Sequence, residues 1–166
     1  MQFIVAVDEN WSIGNNGDLL YSIPEDMKFF RQTTLNKVVV MGRKTLESLP
    51  GQKPLPKRTN IVVTTNPSYT VEGALVCHSV EDVLETVKEY ASEDVIIMGG
   101  KAIYEAFLPY CEKGYVTKIE SNKTADTKLV NLDLLPEWVC TSVSEKKEYE
   151  GISFSFCVYE NQNVKK

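Results

Sequence analysis

The sequence predicts an α/β protein: a mixed, mostly parallel sheet with helices on both faces and an antiparallel hairpin at its C-terminal edge. Three observations point there. Short β-branched runs recur, and the central ones are continuously apolar, as strands buried on both faces must be. Helical patterns separate them, which is the arrangement that makes neighbouring strands parallel. Near the end the runs begin to alternate apolar and polar, the signature of an antiparallel hairpin with one solvated face.

Each element follows in order. Residues 3–7 read as the first strand. Pro24 suits the first turn of a helix running through Met27 and Phe30 to about Thr34. A strand at 38–41 leads to a helix after Gly42, and further strands are expected at 60–64 and 74–76. Ser79 can cap a helix whose apolar stripe is Val80, Val83, Leu84, Val87 and Tyr90. A strand at 95–98, a helix after Gly100 and a strand at 115–120 come next. Residues 138–143 and 152–159 then alternate around a charged turn at 145–151. Ligands of such sheets bind beyond the carboxyl ends of the strands, where strand order switches. Attention therefore falls on 7–21, 42–45, 64–66 and 99–103.

Composition narrows the class. The 166 residues suit one domain, expected over 1–166, with 43% hydrophobic and 25% charged residues. No apolar run is long enough to span a bilayer, and no apolar segment follows a basic start, so a cytoplasmic protein with no membrane partner is expected. A net charge of −5 argues against a nucleic-acid partner. Cys77, Cys111, Cys140 and Cys157 form no CxxC pair, and His78 is the single histidine, so neither a metal site nor a disulfide framework is expected. The thiols read as small buried side chains. Only Arg31, Arg43 and Arg58 offer guanidinium groups for two-pronged anion recognition.

Familiar nucleotide motifs fail. Gly100-Lys101 is followed by Ala102 rather than Ser or Thr, and no GxG occurs, so neither a P-loop nor a Rossmann fingerprint is present. No G-x-S-x-G elbow accompanies His78. The informative stretch is a Gly/Asn-rich loop that leads into a helix carrying Asp26 in its first turn. Asp26 and Phe30 share one helix face. An acid there is what the helix dipole favours. It is equally what a carboxylate set in an apolar cleft would require, with a partner or a raised pKa.

The chain resembles the bacterial dihydrofolate reductases from end to end. The matching blocks are Ile13-Gly14, residues 20–30, Thr34-Leu35-Asn36-Lys37, residues 41–49, Pro54-Leu55-Pro56 with Arg58-Thr59-Asn60, Met98-Gly99-Gly100 with Tyr104, and Thr117 with Asp126-Thr127. One block alone is weak; their order and spacing together are specific. The resemblance implies an eight-stranded sheet with four helices. It also implies reduction of 7,8-dihydrofolate by NADPH, with hydride passing to C6 of the pterin and a proton to N5, in support of one-carbon metabolism.

Residue roles follow from the resemblance. Asp26 matches the carboxylate that accepts the two-donor edge of the pterin, with Leu20 and Tyr21 beside it at the end of a mobile lid over residues 9–20. Ile4, Ala6, Met27, Phe30, Leu49, Leu55 and Met98 match positions around the pterin and benzoyl rings, although Ile4 and Ala6 read equally well as core. Tyr104 is placed beside the substrate. Thr117 matches the hydroxyl that orients Asp26. Arg58 matches the clamp on the substrate's tail carboxylate, with Arg31 adding to it.

For NADPH, backbone groups of Ala6, Ile13 and Gly14 would hold the nicotinamide end. Gly42, Arg43, Lys44 and Thr45 open a helix after a buried strand, an arrangement suited to phosphate. Arg43, Thr64 and Thr65 match the 2′-phosphate site. Gly99 and Gly100, with a cis peptide between them, turn into Lys101, Ala102 and Ile103.

The match departs in places. Tyr21 stands where the family has tryptophan, Lys101 replaces a small residue, and residues 50–53 lengthen the loop before Arg58. Tyr21 retains the capacity to hold a water beside Asp26. Two other readings are a reductase of a ribosylated pyrimidine in flavin synthesis and a non-catalytic NADPH- or folate-binding module. The first would not need the Asp26–Phe30 face or Arg58, and the second would have no use for Asp26. No exposed apolar stripe demands a partner, so a monomer is expected.

Overall fold

The computed structural model describes residues 1–166. The first apolar run becomes β1 (Gln2–Val7), followed by a small hairpin of β2 (Ser12–Asn15) and β3 (Asp18–Leu19). After α1 (Pro24–Thr34), with Pro24 in its first turn, come β4 (Val38–Gly42), α2 (Arg43–Ser48), β5 (Thr59–Val63) and β6 (Ala74–Cys77). Then follow α3 (Val80–Val87), capped by Ser79, β7 (Val95–Gly99), α4 (Lys101–Phe107) and β8 (Lys113–Ile119). The chain ends with β9 (Thr127–Lys128), β10 (Trp138–Val143), β11 (Lys147–Tyr149) and β12 (Ile152–Asn161).

The main sheet runs β10-β12-β8-β1-β7-β4-β5-β6. Strands from β8 to β6 pair in parallel, and β12 is antiparallel to both β8 and β10. The expected eight-stranded mixed sheet and four helices are therefore present. Period-two alternation explains the continuous apolar runs. Phe3, Val5, Val38, Val40 and Ile97 enter one core with Val83, Val87 and Phe107. Ile4, Val39, Met41 and Ile96 face the opposite side with Leu46 and Val62.

One irregularity positions the site. β1 pairs with β7 only at Gln2↔Ile96 and Phe3↔Ile97. Past that point β1 stays with β8 while β7 stays with β4, opening a gap at the carboxyl ends of the strands.

Several expectations need correction. Residues 9–20, read as a loop, contain the β2–β3 hairpin. It turns at Asn16-Gly17 with φ of 52° and 82°, the left-handed pair a two-residue hairpin turn requires. The charged stretch 145–151 is not all turn: β11 pairs with β12, and the reversal is confined to Glu150-Gly151, with φ of 49° and 81°. The stripe expected to reach Tyr90 ends with α3 at Val87, leaving Tyr90 exposed. Three thiols are buried, but Cys140 is exposed on β10. The lengthened loop forms a short 3-10 turn, Pro50–Gln52. No helix is long and apolar enough to cross a membrane.

Candidate active site

Next to the gap between β1 and β7, on the other edge of β1, Thr117 of β8 lies in register with Ala6 on β1 and Phe156 on β12. Asp26 reaches Thr117 from the first turn of α1. An acid at that position ordinarily turns back to the helix amides, yet α1 has no side-chain cap. Instead Thr117 Oγ1 donates to Asp26 Oδ1 at 2.6 Å, and Oδ2 has no hydrogen-bond partner within the protein. The side chain is half-buried. Burial raises its carboxyl above the ordinary value, and the Thr117 hydroxyl offsets part of that rise. A carboxylate with one oxygen braced and one free can accept a paired donor edge.

Apolar side chains surround it. Phe29, Phe30, Leu49, Leu55 and Met98 are partly buried against the core that contains Ile4. Ala6, on the same face of β1 as Ile4, packs against the neighbouring cluster of Ile23, Ile119 and Phe154. Met27 is 59% exposed, with its sulfur accepting from Ser22 Oγ at 3.6 Å. It stands on the rim rather than in the wall.

Tyr104 lies where β1 and β7 part. Its hydroxyl lies 2.7 Å from Ile4 O and 3.0 Å from Met98 O, the carbonyls left where β1 and β7 part. It is buried, and burial followed by the nearby Asp26 charge pushes its hydroxyl pKa up. The phenol stays neutral and closes the gap from behind.

Arg58 is anchored by donating from Nε to Thr34 Oγ1 and from Nη1 to Pro56 O, each at 2.9 Å. Burial, then the charge of Arg31, lowers its pKa. Neither arginine forms a salt bridge, so the pair presents uncompensated positive charge beside a recess of about 430 Å³ lined by Arg58, Thr59, Asn60, Gly73, Ala74 and Leu75.

On the far side of β7, α2 and α4 begin close together. Gly42 and Gly100 occupy their N-cap positions without side-chain caps. A Cβ on Gly42 would lie 3.2 Å from Ile103, and one on Gly100 would lie 3.5 Å from Thr45 Oγ1. The Gly99-Gly100 peptide is cis, and Gly99 has a φ of 113°. Arg43 and Lys101 extend into solvent with loose contacts to Glu47 at 3.7 Å and Glu105 at 3.9 Å. Lys44, Thr65 and Ala102 are exposed beside the half-buried Thr45 and Ile103. Thr64 O accepts from His78 Nδ1 at 2.9 Å, which sets that ring at the end of β5. Ile13 packs on the main core, and Gly14 continues β2.

The family model for dihydrofolate reductase matches residues 1–161. The chain belongs to the dihydrofolate reductase family. The dihydrofolate reductase of Bacillus subtilis is 34% identical over 168 residues, spanning 100% of this chain and 97% of that protein. That of Enterococcus faecium is 38% identical over 148 residues, 89% of this chain and 84% of its own length. A solved dihydrofolate reductase from Enterococcus faecalis, complexed with NADP(H) and RAB-propyl, superposes with a TM-score of 0.87 at 34% identity, covering 96% of this chain and 95% of that one.

Within the dihydrofolate reductase fold, two residues missed by reading the sequence stand out. The Tyr21 hydroxyl joins both of them. It donates to Asp8 Oδ2 at 3.2 Å and accepts from the Lys123 backbone N–H at 3.2 Å, so both capacities are engaged. Asp8 Oδ1 also accepts from the Asn10 and Ser12 amides at 2.9 Å each. The Asp-x-Asn-x-Ser spacing after a strand is a recognisable local turn signal for Asp8. Nothing local marks Lys123, whose partners are about a hundred residues away.

Proposed function

We propose that this reductase converts 7,8-dihydrofolate to 5,6,7,8-tetrahydrofolate, with hydride added at C6 and a proton at N5, using NADPH. The carrying observation is Asp26: a half-buried carboxylate, braced by Thr117 on one oxygen and unpartnered on the other, at the opening of an apolar gap.

Asp26 accepts the ring N–H and 2-amino group of the pterin side by side, which fixes the ring's orientation. Its negative charge, little screened in this setting, favours the protonated pterin. No other acidic side chain shares the gap, so the N5 proton arrives through water. Phe30, Leu49, Leu55, Met98 and Ile4 exclude water from the rings, with Met27 at the rim. Arg58, with Arg31 beside it, holds the tail carboxylate. Tyr104 bridges the two strand ends through the Ile4 and Met98 carbonyls and stands beside the substrate.

The residues present fit NADPH: two uncapped helix starts meet where glycines leave no Cβ, which suits a pyrophosphate. When bound, NADPH supplies the hydride. Gly42, Thr45, Gly99, Gly100, Lys101, Ala102 and Ile103 line its phosphates and ribose. Arg43, Lys44, Thr64 and Thr65 hold the 2′-phosphate. Ala6, Ile13 and Gly14 would hold the carboxamide by backbone groups, with Leu20 beside them. The protein works as a cytoplasmic, single-domain monomer without a metal, nucleic acid or membrane partner.

The test is to mix protein, NADPH and dihydrofolate and follow the near-ultraviolet absorbance of the reduced cofactor. Rapid decay is expected, and decay that slows strongly with NADH in place of NADPH. Binding of both molecules without decay would refute the reading.

A further inference from the structure

Tyr21 and Lys123 form a joint whose parts match each other. Beyond the two hydrogen bonds of the Tyr21 hydroxyl, Lys123 Nζ donates to Leu20 O at 3.2 Å and stands 4.7 Å from the centre of the Tyr21 ring. The lysine thus grips two successive residues at the end of the lid with its backbone amide, its ammonium and the face of the ring it covers. Tryptophan could not take this place unchanged: an indole N–H donates to Asp8 but offers no lone pair to the Lys123 amide.

The joint also gathers three separated segments. Asp8 binds the start of the lid through the amides of Asn10 and Ser12. Tyr21 is the lid's end. Lys123 belongs to the stretch between β8 and β9, and β9 in turn pairs with β2 of the lid hairpin. Asp8 is 3% exposed and anchors the phenol from below, whereas Lys123 is exposed and covers it from above. The one exposed member is therefore the one whose side chain can let go without unfolding the rest.

We infer that Lys123 is a positioning residue for hydride transfer, acting through Leu20 and Tyr21, with Asp8 as the fixed point of the same joint. It touches neither substrate nor cofactor. Its ammonium holds the Leu20 carbonyl and the Tyr21 ring in the arrangement that keeps the lid's end over the reduced nicotinamide. Losing it lets the last residues of the lid lift, which admits water and releases the cofactor sooner. This rests on the reductase reading given above.

The experiment compares single-turnover hydride transfer, NADPH dissociation and dihydrofolate binding without cofactor. In Lys123→Ala, hydride transfer is expected to slow roughly tenfold and NADPH to leave several-fold faster, with dihydrofolate binding unchanged. Lys123→Arg, which keeps a cation for the carbonyl and ring, should recover most of the rate. Lys128→Ala removes an exposed charge from the neighbouring β9 and should match the wild type. Wild-type values for both hydride transfer and NADPH release in Lys123→Ala would overturn the inference. So would an equal loss in Lys128→Ala, or a parallel loss of dihydrofolate binding, which would mark a general structural effect. A wild-type protein that transfers no hydride would instead overturn the reductase reading itself.

Discussion

Asp8, in the turn after β1, and Asp26, in the first turn of α1, are both drawn away from bulk water, and the fold treats them in opposite ways. Asp8 sits in the turn after β1, where the chain curls round it, so the amides of Asn10 and Ser12 and the Tyr21 hydroxyl supply three donors. Asp26 sits in the first turn of α1. There the nearby amides run along the helix axis, and a single donor, Thr117, reaches it from another strand. Burial therefore pushes the Asp26 carboxyl up with only partial relief. The Asp8 carboxylate is a joint that holds chain to chain. That of Asp26 keeps a free oxygen for a ligand to satisfy.

The largest effect that could break this contrast is loss of charge at Asp26. Asp26→Asn should keep the fold but lower turnover at neutral pH by at least about a hundredfold, as removal of a group that governs proton transfer does. Near-wild-type turnover in the absorbance assay would erase the distinction between the two acids. Thr117→Val comes next. Removing the one bond that lowers the Asp26 pKa should raise it further and cut kcat/KM at neutral pH roughly tenfold, matching about 1.5 kcal/mol for a hydrogen bond to a charged group. A pH–rate profile superimposable on that of the wild type would show that Thr117 does not tune the acid.

Much of this was legible in the amino-acid order, for reasons that differ by region. The apolar runs of β1, β4, β5 and β7 admit only one burial, on both faces, so the parallel sheet follows from pattern alone. The Asn16-Gly17 and Glu150-Gly151 reversals were the weak point. Their strands are two and three residues long, too short for alternation to show, although Asn-Gly is itself a turn signal. The Asp26–Thr117 hydrogen bond was legible because ordered blocks of sequence carried both residues. The contacts of Tyr21 were not legible, because its partner, the Lys123 amide, is a backbone group that no side-chain pattern announces. The hydrogen bonds of Tyr104 were not legible either, since its carbonyl partners depend on where two strands separate.

Smaller effects sharpen the contrast from the side of stability. Asp8→Asn retains an oxygen for the two amides but turns a donor or a poor acceptor toward the Tyr21 hydroxyl. Unfolding free energy should fall by about 1–2 kcal/mol in denaturant titration, as expected for one buried polar group left imperfectly paired. An unchanged midpoint would mean that the Asp8 joint contributes nothing to holding the lid's root.

Asp26→Asn should do the reverse, and only above acid pH. An unfolded Asp26 ionises around its ordinary value of 3.8, while the folded protein keeps the proton to higher pH because burial disfavours the charge. Between those two points the folded state binds more protons than the unfolded one, so wild-type stability falls as pH rises through the window. Asparagine has no proton to lose. In thermal unfolding of the ligand-free protein, the gap between variant and wild type should therefore widen in the variant's favour from below pH 3.8 toward neutrality. A gap that widened the other way would mean that Asp26, like Asp8, is a charge the empty fold is built to satisfy.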